Sequence, residues 1–143
     1  MEKLQRQHLA IFTPPFLDLI LDGKKTIEAR FSKVRCAPYG SIWEGDTVLL
    51  KDSGGLVRGS FVVAKVESFA YLNLDILNEL RHRHSEALCS SVDPQYWHTR
   101  SSARYATLIH IVEPTRFERS FPFPKKDRRG WVVLDTTTLP ALF

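Results

Sequence analysis

The sequence predicts an α+β protein: a small, mostly antiparallel, partly closed β-barrel with two or three helices against its side. Three observations lead there. Six or seven short runs with strand character lie at both ends of the chain, with two or three helical segments between them. Strands and helices do not alternate regularly, which disfavours a doubly wound parallel sheet and suits a small barrel. Turn signals at Glu44-Gly45-Asp46 and Ser53-Gly54-Gly55 bracket two of the strands and predict a hairpin. At 143 residues the chain is expected to form a single domain, with its core over about residues 8–134.

Taken in order, residues 8–12 read as a short strand. Thr13 is placed to cap a helix whose first turn tolerates Pro14 and Pro15. Phe16, Leu17, Leu19, Ile20 and Leu21 crowd that helix, and Gly23 ends it by taking a left-handed turn. A strand over residues 26–31 follows, then a loop marked by Pro38 and Gly40. Residues 47–52 and 57–66 form the predicted hairpin, with Gly59 a bulge position. Residues 73–88 carry apolar side chains at helical spacing with Asn73 as cap. A second short helix begins at Asp93-Pro94. Residues 105–112 are a strand, Pro114 interrupts, residues 116–121 alternate again, and residues 131–134 are the last strand. The stretch Lys125-Lys126-Asp127-Arg128-Arg129-Gly130 is a charged loop.

Hydrophobic residues make up 43% and charged residues 25%, ordinary for a soluble globular protein. The net charge of +4 fits an anionic partner such as RNA, because phosphates attract Lys and Arg at long range, and fits equally a soluble protein with somewhat more base than acid. Two cysteines, Cys36 and Cys89, form no disulfide framework or metal pattern. Five scattered histidines suggest no metal set, so neither metal nor cofactor is expected. The polar start of the chain and the lack of any apolar run near the ~20 residues of a membrane span lead to an expected cytoplasmic location without membrane contact. The sequence does not identify a protein partner.

The chemistry concentrates in Gly23-Lys24-Lys25-Thr26-Ile27-Glu28-Ala29-Arg30, a G-x-K-x-x-E-x-R stretch running from a helix end into a strand. Period-two alternation puts Thr26, Glu28 and Arg30 on one face, with Lys25 at the corner. A lysine so placed has two uses: a fixed cation, or a base with a lowered pKa. Lys24 and Arg30 would lower that pKa and Glu28 would raise it, so Lys25 is expected to stay protonated. Arg30 has the fork to grip two phosphate oxygens. A solvated Glu28–Arg30 surface pair, worth about 0–1 kcal/mol, is the competing reading.

This stretch directly after an apolar helix, then Gly45-Asp46 opening a strand, then Asp127-Arg128-Arg129-Gly130-Trp131, together resemble the ASCH domain, of the small stand-alone bacterial type. That family belongs to the PUA-like superfamily of small β-barrels, and the resemblance spans about residues 8–134. It implies a cleft on the barrel that receives RNA or a nucleoside. Some members resemble hydrolases: one branch deacetylates acetylated cytidine with a lysine and a threonine from this stretch and a glutamate from elsewhere, and another cleaves RNA. Lys25 matches the lysine and Arg30 the arginine of the amidohydrolase pattern. The chain departs from it at Glu28, where the threonine would stand; Thr26 is a hydroxyl two residues earlier, and the third carboxylate would fall near Glu86.

The candidate catalytic residues are therefore Lys25 and Glu28, with Glu86 and Thr26 behind them. For nucleic-acid contact the candidates are Lys24, Lys25, Glu28, Arg30, Lys51, Arg100 and Arg104, with Trp43 and Trp97 for base stacking. The first expectation is an RNA- or modified-nucleoside-binding protein. A metal-independent hydrolase is the alternative, with Glu28 activating water and Lys25 steadying the oxyanion, or with RNA as substrate. A small-ligand or protein-interaction module remains a third.

Overall fold

The computed structural model describes residues 5–124 and 128–134. Among the described residues, six strands and three helices form a curled half-barrel of α+β class. The strands are β1 (Gln7–Phe12), β2 (Ile27–Ser32), β3 (Thr47–Asp52), β4 (Val57–Ala70), β5 (Tyr105–Phe121) and β6 (Trp131–Leu134). The helices are α1 (Phe16–Leu21), α2 (Leu74–Leu88) and α3 (Tyr96–Thr99), with a single 3₁₀ turn at Ser90–Val92 before α3. The sheet order is β2-β5-β4-β3-β1-β6. Only β1 and β3 run parallel, paired from Gln7–Thr47 to Phe12–Asp52. The other pairings are antiparallel.

The local chemistry explains most boundaries. Asn73 caps α2, its side-chain oxygen accepting the Ile76 amide at 2.9 Å. Gly23 ends α1 at φ +78°: its amide bonds the Ile20 carbonyl, and the Lys24 amide reaches back to Leu19. That pairing is a Schellman closure, for which glycine is the favoured residue. Gly59 is forced by close approach of β5, since a Cβ there would lie 2.5 Å from the Thr115 carbonyl oxygen. The β4–β5 register shifts around it, as expected for a bulge.

Three expectations need correction. Thr13 does not cap α1 through its side chain; the position before the helix is Pro15, which has no side-chain oxygen to offer. Pro114 does not end a strand. β5 runs through it, because the β4–β5 ladder skips between Ser60–Thr115 and Val62–Val112, where a residue without N–H breaks no bond. β4 continues past Val66 to Ala70, paired throughout with β5. In the predicted charged loop, Lys125, Lys126 and Asp127 lie outside the described residues, while Arg128 and Arg129 are exposed.

One core fills the curl of the sheet, with Phe12, Leu17, Ile20, Leu50, Phe61, Ile109 and Trp131 buried together. A second, built by α2 and α3 against β2 and β5, holds Leu77, Leu80, Leu88, Tyr96 and Leu108. The buried imidazole of His8 lies between two anchors: Nε2 sits 2.9 Å from Asp46 Oδ2, and Trp131 Nε1 donates to Nδ1 at 3.0 Å. Because Nδ1 accepts from the indole, the proton of the neutral ring sits on Nε2 and is given to Asp46.

Candidate functional site

The closure of α1 sets the site. The amides of both Lys24 and Lys25 bond the Leu19 carbonyl, which turns the Lys25 side chain inward while Lys24 stays exposed. Lys25 is 1% exposed. Its Nζ donates to the Leu88 carbonyl at the end of α2 at 2.7 Å, lies 3.3 Å from Glu28 Oε1, and stands 5.2 Å from the centre of the Phe16 ring. Burial pushes its pKa below the ordinary lysine value, against the opposing charge of Glu28. Burial, the largest influence, is the one a charge balance along the sequence leaves out.

Glu28 and Arg30 project from the same face of β2, as alternation requires. Glu28 is 6% exposed, so the pair is not a solvated surface bridge. Its carboxylate accepts from the Ala29 amide at 3.1 Å and from Arg30 Nε at 2.8 Å, with Arg30 Nη2 at 2.7 Å. Burial alone would raise the Glu28 pKa. Arg30 and Lys25 outweigh it and hold the carboxyl below its ordinary range.

Arg30 has a further task. Nη1 donates to the Gly130 carbonyl at 3.0 Å and Nη2 to the Ile11 carbonyl at 2.9 Å, joining one sheet edge, β2, to β1 and the approach to β6 at the other. Its guanidinium also packs over the rings of Phe12 and Trp131. All three of its nitrogens are engaged within the protein, and Arg30 still lines a cleft with Lys25 and Glu28.

Lys25, Glu28 and Arg30 line a single cleft of about 370 Å³, together with Phe16, Phe31, Tyr96 and Arg100. Arg100 is the cation the cleft leaves available. Its guanidinium lies over the Tyr96 ring at 3.7 Å, and its hydrogen bonds, to the Tyr96 carbonyl and to Thr99 Oγ1, both come from Nη1. Burial and the nearby Glu28 charge push the Tyr96 phenol pKa up, which keeps it a donor. Tyr96, Thr13 and Thr99 also line this cleft. The sequence pointed toward α3 through the short helix expected from Asp93-Pro94, which begins instead at Tyr96, and through Arg100 as a nucleic-acid contact; it marked Thr13 only as a helix cap.

The remaining candidates lie elsewhere. Thr26 is exposed, with its backbone bonded to Ala87 and Ile111 just before β2 begins. Glu86 is exposed on α2, and Arg104 is exposed before β5. Lys51 is buried beside a different hollow, with Gly54 and Phe123, its Nζ 3.3 Å from the Asp52 carbonyl. Trp43 is at the surface with Arg6 over its ring. Trp97 packs edge-on against Phe31 and Tyr96, and its indole donates to Ser90. None of these borders the Lys25 cleft. Among the described residues no cluster of three or more His, Cys, Asp or Glu side chains is arranged to hold a metal, and no helix is long and apolar enough to cross a membrane.

No protein-family model matches the sequence, and no curated protein matches it significantly. Solved structures do. The crystal structure of ASCH from Zymomonas mobilis superposes with a TM-score of 0.70 at 15% identity, covering 92% of this chain and 90% of that one. The fold is that of an ASCH protein. The crystal structure of a protein from Enterococcus faecalis superposes with a TM-score of 0.56 at 13% identity, covering 83% of this chain and 86% of that one. The N-terminal domain of McrB from Staphylothermus marinus reaches 0.51 at 14% identity, covering 85% and 80%.

Proposed function

We propose that this chain binds RNA or a modified nucleoside in the cleft between β2, α1 and α3. The observation that carries the reading is the convergence of Lys25, Glu28 and Arg100 on one hollow walled by Phe16, Phe31 and Tyr96. Aromatic walls take the flat face of a base, and a partly free guanidinium takes a phosphate oxygen. The ASCH fold and the G-x-K-x-x-E-x-R stretch support the same reading.

A hydrolase is the second reading, and the buried Lys25 favours it. Burial moves the Lys25 pKa in the direction a general base needs, and its Nζ lies at the cleft beside Glu28. The roles differ from those expected from sequence. Glu28 is held ionised by several donors, which makes it a weak base and a good anchor for Lys25. Lys25 then accepts the proton from a water or ribose hydroxyl, and Arg100 steadies the developing negative charge.

The test incubates the protein with labelled single-stranded RNA and with acetylated cytidine, with and without chelator, beside Lys25→Met and Arg100→Ala. Binding without turnover, weakened in Arg100→Ala, supports the binding reading. Chelator-resistant turnover lost in Lys25→Met supports the hydrolase. Absence of binding to either compound contradicts both.

A further inference from the structure

Arg30 separates two hollows. Behind it lies a second one of about 170 Å³, bordered by Arg30, Phe31, Cys36, Tyr39, Thr107 and Trp131. It shares Arg30 and Phe31 with the main cleft. A water occupies about 30 Å³ of liquid, so this space exceeds a single solvent site.

Three features mark it as built to receive a ligand. The β2–β5 register sets Arg30 opposite Thr107 and Ser32 opposite Tyr105, so all four side chains share one face of the sheet. Thr107 is 1% exposed, and among the described residues its hydroxyl has no hydrogen-bond partner. Buried polar groups are nearly always paired, so a buried hydroxyl that the protein leaves unbonded beside a hollow suits a polar atom of a ligand. From the rim, rings continue outward: Tyr39 meets Tyr105 at 5.2 Å and Tyr105 meets Tyr71 at 6.0 Å. Arg35 lies over Tyr105 at 5.5 Å and donates to the Tyr71 hydroxyl at 3.2 Å. Tyr71, at the outer end of this ledge, is 63% exposed.

We propose that this second hollow and its tyrosine ledge hold a neighbouring unpaired base of the same strand, which makes the ligand a single-stranded oligonucleotide and not a free nucleoside. The inference rests on the cleft reading above. Stacking on tyrosine is tolerant of base identity, and Arg35 beside the rings adds a cation for the backbone. The wall that both hollows share sets the spacing between adjacent nucleotides.

Cys36 is exposed at the rim and reports occupancy directly. Its alkylation by iodoacetamide is followed by mass spectrometry on the full chain, alone and with cytidine, a cytidine dinucleotide or a cytidine decamer. Affinities are measured for the wild type, Tyr39→Ala and Thr107→Val, each checked for native circular dichroism. The expected result is Cys36 protection by dinucleotide and decamer but not by cytidine. Tyr39→Ala should weaken decamer binding about tenfold, the scale of one lost stack, and Thr107→Val about fivefold to tenfold, the scale of one lost hydrogen bond; both should leave cytidine binding unchanged. Decamer binding with Cys36 alkylated at the free rate, and both variants binding as wild type, overturns this inference and leaves the cleft reading intact. Failure of every compound to bind overturns both.

Discussion

Arg30 on β2 donates to the carbonyl of Gly130, one hundred positions later, at 3.0 Å. The bond ties the approach to β6 to the opposite edge of the sheet, and the same guanidinium fixes the Glu28 carboxylate. Site and barrel closure therefore share one side chain.

Replacing Arg30 should destabilise the protein before it affects any ligand. Arg30→Met leaves the buried Glu28 carboxylate with Lys25 as its nearest countercharge and takes a donor from each of the Gly130 and Ile11 carbonyls; the loss is expected to be about 3 kcal/mol, the scale of a broken buried pair. Arg30→Lys restores charge without the planar fork and should recover only part of it. Urea unfolding measures both; an unchanged midpoint in Arg30→Met contradicts the closure role.

Glu28 makes the stability dependent on acid in a defined direction. Its folded pKa lies below the ordinary 4.5, so the unfolded chain takes up the proton first as the pH falls. The stabilisation is present in full above that value and is lost as the pH drops through the folded pKa. Glu28→Gln should cost roughly 3 kcal/mol at neutral pH, with the gap from wild type closing in acid. A gap that widens in acid would reverse the assigned sign.

His8 acts in the same direction through a different cause. Burial lowers its pKa from 6.5, Asp46 opposes, Arg6 assists, and the indole of Trp131 occupies the nitrogen a second proton would need. Below pH 6.5 the unfolded chain binds the proton and the folded chain resists it, so stability falls with pH from there toward the folded pKa. Trp131→Phe should lower stability by about 1–3 kcal/mol and flatten this slope, because Nδ1 becomes free to protonate. Urea midpoints from neutral to mildly acidic pH decide it; an unchanged slope removes Trp131 from the account.

Much of the fold could be read from single residues, because the signals are local. Asn73 needs only the next turn to cap α2, and Gly23 needs only a positive φ to end α1. Pro114 misled because its tolerance depends on a ladder irregularity contributed by β4. In the site, the Glu28–Arg30 alternation was legible. The inward turn of Lys25 to the Leu88 carbonyl was not, since that acceptor is 63 positions away. The commitment of Arg30 to Gly130 and Ile11, and the arrival of Arg100 and Tyr96, likewise depend on tertiary packing.

Gly23 links the two levels. Gly23→Ala places a Cβ in a left-handed conformation, at a cost of about 1–2 kcal/mol, and disturbs the closure that turns Lys25 inward. Thermal unfolding should show the loss, and ligand affinity should fall with it even though Gly23 does not border the cleft. Full affinity in a destabilised Gly23→Ala would separate the helix end from the site.

The most direct test of the cleft is an amide chemical-shift titration of the full chain with a single-stranded RNA decamer. The amides of Lys25, Ala29, Phe31 and Arg100 should shift together, with one saturation curve. Shifts confined to the surroundings of Trp43, Lys51 or Arg104, or none at saturating RNA, would contradict the account.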